Sequence, residues 1–88
     1  MTVLVDVPRW PAHGTLWAHL VSDASLDELH AFAQTQGLPP RAFDIDHYDV
    51  PEEMVAQLIT AGAHAVSGKE LVRRLIASGL RVPARDRR

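Results

Sequence analysis

The sequence predicts a small α/β protein, and two kinds of signal lead to that prediction. Short apolar segments rich in strand-favouring residues alternate along the chain with three segments that carry helix start and stop signals. The resulting order is β-β-α-β-α-β-α. Because single helices separate the later strands, we expect parallel pairing through right-handed crossovers. The predicted architecture is a three- to four-stranded, mainly parallel sheet covered by about three helices.

Length and composition place the chain among small single-domain proteins. It has 88 residues, 47% of them hydrophobic, and no cysteine, which excludes disulfides and cysteine-based zinc sites. We expect residues 1–80 to form one α/β domain and residues 81–88 a basic C-terminal tail. The first residues lack the basic segment of a signal peptide, and no apolar run is long enough to span a membrane. These features predict no membrane partner and a cytoplasmic location.

The first two strands are predicted on either side of a loop. Residues 2–7 contain three consecutive β-favouring apolar residues, as expected for a strand covered on both faces. Residues 8–14 hold two prolines and a glycine, so they are predicted to form a loop. Residues 15–22 are predicted to be the second strand, and its alternation places His19 and Val21 on one face.

The three helices are predicted from one repeated pattern. Each begins with a capping residue followed three positions later by a glutamate, continues with apolar residues, and ends at a glycine. The pairs of cap and glycine are Ser25 and Gly37, Asp49 and Gly62, and Ser67 and Gly79. Short strand candidates, residues 45–50 and 63–66, precede the second and third helices.

Potential chemistry is concentrated in residues 43–51, which hold three aspartates, a histidine and a tyrosine. His47 and Asp49 are two residues apart, so an extended chain places both side chains on one face. With Asp6 and His19 they offer two imidazoles and two carboxylates, a set that suits Zn²⁺, Mn²⁺ or Fe²⁺ better than Ca²⁺. We therefore expect a divalent metal or a phosphate-bearing ligand at the carboxyl ends of the strands.

Should this site be catalytic, metal-assisted or histidine-assisted hydrolysis is the simplest chemistry, with His47, Asp49 and His19 as the catalytic residues. A purely structural interpretation remains open. In that interpretation Asp49 caps the second helix, Asp44 and Asp46 are polar loop residues, and the Tyr48 ring packs in the core with its hydroxyl hydrogen-bonded.

Charge is unevenly distributed along the chain. Residues 1–66 carry nine acidic against two basic residues, a net charge of −7, and residues 67–88 carry seven basic against two acidic residues, a net charge of +5. The second hypothesis is therefore a non-catalytic interaction module. Its basic third helix and tail would bind another copy of the chain, an acidic partner or nucleic acid.

Several segments resemble one family of small bacterial and phage proteins. These are Val3-Leu4-Val5-Asp6, the stretch from Trp17 to Asp23, and above all the segment from Phe43 to Val50 with its His-Tyr-Asp core. The family is catalogued as a domain of unknown function, DUF4031. The resemblance spans about residues 2–80 and implies a shared single-domain architecture. It adds weight to His19, His47, Tyr48 and Asp49 but implies no reaction.

Overall fold

The computed structural model describes residues 2–83, which fold into a six-stranded mixed sheet with helices on both faces. The strands are β1 (Val3–Val5), β2 (Trp10–Ala12), β3 (Thr15–Ser22), β4 (Phe43–Asp44), β5 (His47–Pro51) and β6 (His64–Ala65). The α-helices are α1 (Leu26–Thr35), α2 (Val55–Thr60) and α3 (Gly68–Ser78), and single 3₁₀ turns cover Pro40–Ala42 and Glu52–Met54. Of the predicted tail, residues 84–88 lie outside the described residues.

The α/β class is confirmed, but the prediction of a mainly parallel, three- to four-stranded sheet is wrong. The strand order is β4-β5-β3-β1-β6, with β2 paired to β3. Among residues 2–83, four strand pairs are antiparallel and only β1 and β6 run parallel. Residues 6–14 are too few for the helical crossover that parallel pairing of β1 and β3 would need. The connection from β3 to β5 contains more than a helix. After α1, residues 36–46 include β4 and a tight turn, and β5 then pairs antiparallel with β3.

Two of the three predicted helix caps are confirmed. The hydroxyls of Ser25 and Ser67 accept hydrogen bonds from the backbone N–H groups of Glu28 and Glu70. Gly79 ends α3 in the left-handed conformation, with φ +83°, which glycine adopts at little cost.

Asp49 does not cap α2, and the structure corrects that interpretation. Strand β5 continues through Asp49 to Pro51, a 3₁₀ turn follows, and α2 begins only at Val55. Because Val50 precedes a proline, it favours extended angles over helical ones. Pairing with β3 then keeps Asp49 in the sheet, where its side chain is available for other contacts.

The larger core lies on the sheet face that α1 and α2 cover. Alternate strand residues such as Val5, Leu20 and Val50 are fully buried there, together with Leu29 of α1 and Leu58 of α2. The alternation of buried and partly exposed residues in β5 is the pattern of an antiparallel strand with two unlike faces.

The opposite face is covered in part by α3. Leu4 and Val21 from neighbouring strands pack there against Leu71 and Leu75, which lie four residues apart on one side of α3. His19 is two residues from Val21 and therefore projects from this same face. Within residues 2–83, no helix is long and apolar enough to cross a bilayer.

Candidate metal centre

The antiparallel pairing of β3 and β5 brings three predicted site residues together. His19 and Asp49 are direct cross-strand partners, and His47 lies two residues before Asp49 on the same face. Each of the three side chains offers one ligand atom, and these atoms lie within 4.8 Å of one another. The cluster lies on the face of the sheet, not at the ends of parallel strands, because the expected parallel pairs do not form.

Asp6 fixes the orientation of His19 from behind. One carboxylate oxygen of Asp6 accepts the backbone N–H of His19 at 2.7 Å, and the other lies 2.9 Å from Nδ1 of the imidazole. A carboxylate can only accept, so Nδ1 carries the hydrogen. In the neutral ring the lone pair is therefore on Nε2, which is the nitrogen that a metal would need.

Asp46 has the same relation to His47. Its carboxylate is almost fully buried, with 1% exposure, and its Oδ1 atom lies 2.8 Å from Nδ1 of His47. Oδ2 accepts the backbone N–H of Val82 at 2.9 Å and lies 3.7 Å from the Arg81 guanidinium. Asp46 thus joins the turn between β4 and β5 to the segment that follows α3.

The turn that places Asp46 is unusual. Ile45 adopts φ +65°, a left-handed conformation that costs a β-branched residue free energy. The Asp46 N–H donates to the carbonyl of Asp44 at 2.7 Å, which tightens the turn. Such backbone strain occurs preferentially at functional sites.

The third member of the cluster has a buried acceptor atom with no donor. Oδ1 of Asp49 is inaccessible to solvent and accepts no hydrogen bond within residues 2–83. It lies 3.1 Å from Nε2 of His47. Nδ1 of His47 faces Asp46, so the nitrogen that faces Oδ1 of Asp49 is Nε2. In the neutral form of the ring, both of these atoms are acceptors and repel each other. A cation between the two atoms would relieve this repulsion.

The spacing fits a metal as that cation. Two ligands bound at about 2.0–2.2 Å to one transition metal lie roughly 3.0–3.5 Å apart. The 3.1 Å between Nε2 of His47 and Oδ1 of Asp49 falls in that range. Both imidazoles also have a carboxylate on the distal nitrogen, an arrangement that is usual for metal-bound histidines.

Electrostatics in the cluster favour positive charge. The pKa of His19 is raised, chiefly by its hydrogen bond to Asp6; burial opposes this shift, and the charges of Asp6, Asp49 and Asp46 reinforce it. The same negative field that raises this pKa would attract a divalent cation to the cluster.

Aromatic rings shield one side of the cluster. The Trp10 indole stacks on the His19 imidazole at 5.1 Å between ring centroids, and His19 meets His47 edge to face at 5.0 Å. His47 retains only 12% side-chain exposure, whereas His19 retains 38%. The cluster is therefore accessible mainly at His19.

Of the four predicted metal ligands, the structure groups His19, His47 and Asp49 and places Asp6 behind His19. Asp46 was expected to be a polar loop residue, and its role in orienting His47 was missed. Sequence alternation alone could not find it, because its burial depends on the left-handed Ile45. Tyr48 is buried and its hydroxyl lies 2.7 Å from Nδ1 of His30, as the structural interpretation expected.

The two arginines of α3 make local ion pairs. Arg73 binds Glu70 on the surface, and Arg74 binds Asp23 across to the end of β3 at 2.8 Å. These contacts use the two arginines that the interaction hypothesis depends on. Binding of another copy, an acidic partner or nucleic acid by the basic C-terminal region stays a prediction.

Fold and site together define the class: a small mixed α/β domain with a candidate centre of two histidines and one carboxylate. The chain belongs to the family described as "Protein of unknown function (DUF4031)", whose model matches residues 3–78. The resemblance seen in the sequence is thereby confirmed. Searches of curated proteins and of solved structures each gave no significant match.

Proposed function

We propose that this chain binds a divalent transition metal through His19, His47 and Asp49. The observation that carries the proposal is the buried, donorless Oδ1 of Asp49, which lies 3.1 Å from Nε2 of His47. His19 offers a third ligand atom, and the three ligand atoms lie within 4.8 Å of one another. Asp6 and Asp46 support the two imidazoles from the second sphere.

The ligand types indicate which metals to expect. Two imidazoles and a carboxylate suit Zn²⁺, Mn²⁺ or Fe²⁺, whereas Ca²⁺ takes six to eight oxygen ligands. Three protein ligands also leave positions for water or substrate, as in catalytic centres and unlike closed structural sites. A metal held in this way would act as a Lewis acid and lower the pKa of a water that it binds. Metal-assisted hydrolysis is the reaction class we propose to screen first.

The test is a titration of the chelator-treated chain with Zn²⁺. Calorimetry measures binding, and thermal melting measures the change in stability. We expect one equivalent to bind. At a free concentration 100 times Kd, binding would stabilise the fold by about 2.7 kcal/mol. In a domain of this size, each kcal/mol of added stability raises Tm by roughly 4–8 °C. Ca²⁺ at the same concentration should produce a much smaller shift.

Removing an outer-sphere partner of a metal ligand typically weakens metal binding by about 10–100-fold. We expect a larger loss of Zn²⁺ affinity in His47→Ala and in Asp49→Ala, because each substitution removes a proposed ligand. His64→Ala is the matched control, because His64 is exposed in β6 and is not part of the cluster. Melting curves of the metal-free variants establish that each one folds. Wild-type affinity in His47→Ala and Asp49→Ala would overturn the proposal.

A further inference from the structure

A cleft of about 340 Å³ lies beside the candidate centre, between the sheet and α3. His19 and His47 both line it, so a metal on these residues would be accessible from the cleft. Val21 and Leu71 supply apolar lining, and Arg81, from the segment after α3, lines it as well. The cleft thus combines the proposed metal, apolar surface and a cation.

Arg81 has the chemistry to bind an oxyanion. Its guanidinium presents N–H donors in a planar fork that matches carboxylate and phosphate groups. The side chain is 36% exposed, and its contact with Asp46 is 3.7 Å, which is longer than a hydrogen bond. The guanidinium can therefore reach a ligand in the cleft without losing a short ion pair.

The charges around the cleft make the metal a condition for anion binding. Asp6, Asp46 and Asp49 place three carboxylates near the two histidines. In the absence of metal these carboxylates repel an anion. A divalent metal together with Arg81 supplies three positive charges, which balance them. An anion bound directly to the metal would then also face the guanidinium.

We propose that this cleft binds a small molecule that carries one carboxylate or phosphate group on a short apolar part. Arg81 and the metal would hold the oxyanion, and the wall that includes Val21 and Leu71 would contact the apolar part. The volume is near the lower end of the range of roughly 300–1,000 Å³ for small-molecule pockets. This inference rests on the proposed function, since the metal is one of the two anion-binding groups.

The experiment uses the full chain loaded with Co²⁺, whose visible spectrum responds to a change in coordination. Co²⁺ affinity is measured first. Phenyl phosphate, benzoate and inorganic phosphate are then titrated into the loaded wild type, Arg81→Gln and Arg73→Gln. Arg73→Gln is the matched control, because Arg73 is exposed on α3, is paired with Glu70 and does not line the cleft.

We expect phenyl phosphate or benzoate to perturb the spectrum, and Arg81→Gln to weaken that binding by about tenfold or more. In Arg81→Gln, Co²⁺ affinity should change much less than probe affinity. The stronger of the two aromatic probes identifies the oxyanion, and tighter binding of phenyl phosphate than of inorganic phosphate supports the apolar wall.

Three results would overturn the inference, and they separate it from the proposed function. If Co²⁺ binds but no probe perturbs its spectrum, the cleft proposal fails and the metal proposal stands. If Arg81→Gln lowers Co²⁺ affinity as much as it lowers probe affinity, Arg81 only supports Asp46. If Co²⁺ and Zn²⁺ both fail to bind, the two proposals fail together.

Discussion

Asp6 determines which nitrogen of His19 is available as a ligand. It accepts both the backbone N–H and the imidazole Nδ1–H of His19, and it is 8% exposed. A buried carboxylate with two well-placed donors is a rigid support for the ring. Asp6 was predicted to be a ligand because it lies at the end of the first strand, whereas the structure places it behind the candidate ligand His19.

Asp6→Asn tests this role. The amide oxygen can still accept the backbone N–H of His19, but the amide nitrogen cannot accept from Nδ1–H. We therefore expect Zn²⁺ affinity to fall about 10–100-fold, the usual cost of removing an outer-sphere partner. Calorimetric titration measures the change. Asp27→Asn, on the exposed side of α1, removes the same charge and should bind Zn²⁺ like the wild type; equal affinity in both variants would contradict the assignment.

At the residue scale, local sequence patterns placed the candidate ligands but not all of the residues that orient them. His47 and Asp49 could be placed on one face because strand alternation is a local property. His19 was a candidate from its strand, but its direct pairing with Asp49 depends on antiparallel register. Asp46 could not be recognised, because a left-handed isoleucine is contrary to local preference and arises from the surrounding fold.

At the scale of elements, α3 is attached to the sheet by a small apolar cluster. Leu71 and Leu75 pack on Leu4 and Val21, and the cluster is separate from the larger core on the other face. Few contacts therefore hold the helix that forms one side of the cleft. Each of those contacts should matter strongly for stability.

Leu75→Ala measures that attachment. Leu75 is 2% exposed, so we expect the free energy of unfolding to fall by about 2–5 kcal/mol. The neighbouring Ile76 is 59% exposed, and Ile76→Ala should change stability by about 0.5 kcal/mol or less. Urea unfolding of both variants checks the pair. Similar losses would mean that α3 packs through a different face.

Local signals predicted the serine-capped helices but not the start of α2. Ser25 and Ser67 cap because their hydroxyls satisfy backbone donors at once, a short-range effect. Asp49 carried the same signal, yet β3 competes for that segment by pairing its residues 17–20 with residues 48–51. Long-range pairing prevailed over the capping pattern.

At the scale of the whole molecule, Asp23 connects three distant parts of the chain. From just after β3 it accepts the N–H of Thr2 at 2.9 Å and the Arg74 guanidinium of α3 at 2.8 Å. Burial of the carboxyl opposes ionisation, but the hydrogen bonds from Thr2 and Arg74 and the charge of Arg74 outweigh it. The pKa of Asp23 is therefore lowered from its ordinary value of 3.8.

This lowered pKa makes part of the stability dependent on pH. The contribution is fully present above pH 3.8 and is lost as the pH falls through the lower pKa of the folded state. Asp23→Asn should cost about 1 kcal/mol at pH 7 and progressively less below pH 3.8. Urea unfolding at several pH values measures the difference, with Glu53→Gln as the exposed control. A cost that did not change with pH would exclude the ionised carboxylate as its cause.

The overall class followed from the alternation of elements, whereas strand direction did not. Parallel pairing was expected because helices separate the strands. A helix between two strands is also compatible with antiparallel pairing of those strands when further chain follows the helix. The length of the connection between β1 and β3 was the available warning, since residues 6–14 cannot form a helical crossover. For the same reason, the candidate cluster lies on a face of the sheet, whereas the prediction placed a ligand site at the strand ends.

Through Asp46, the segment after α3 is connected to the candidate metal centre. One carboxylate binds His47 with Oδ1 and the Val82 N–H with Oδ2, so ring orientation and segment docking share a single group. Two events that share a group are thermodynamically coupled, and the coupling is reciprocal. If the proposed metal binds, whatever holds residues 81–82 in place would change metal affinity by a given factor, and the metal would change the occupancy of the docked segment by that same factor. The position of residues 81–82 would then depend on whether the proposed metal site is occupied.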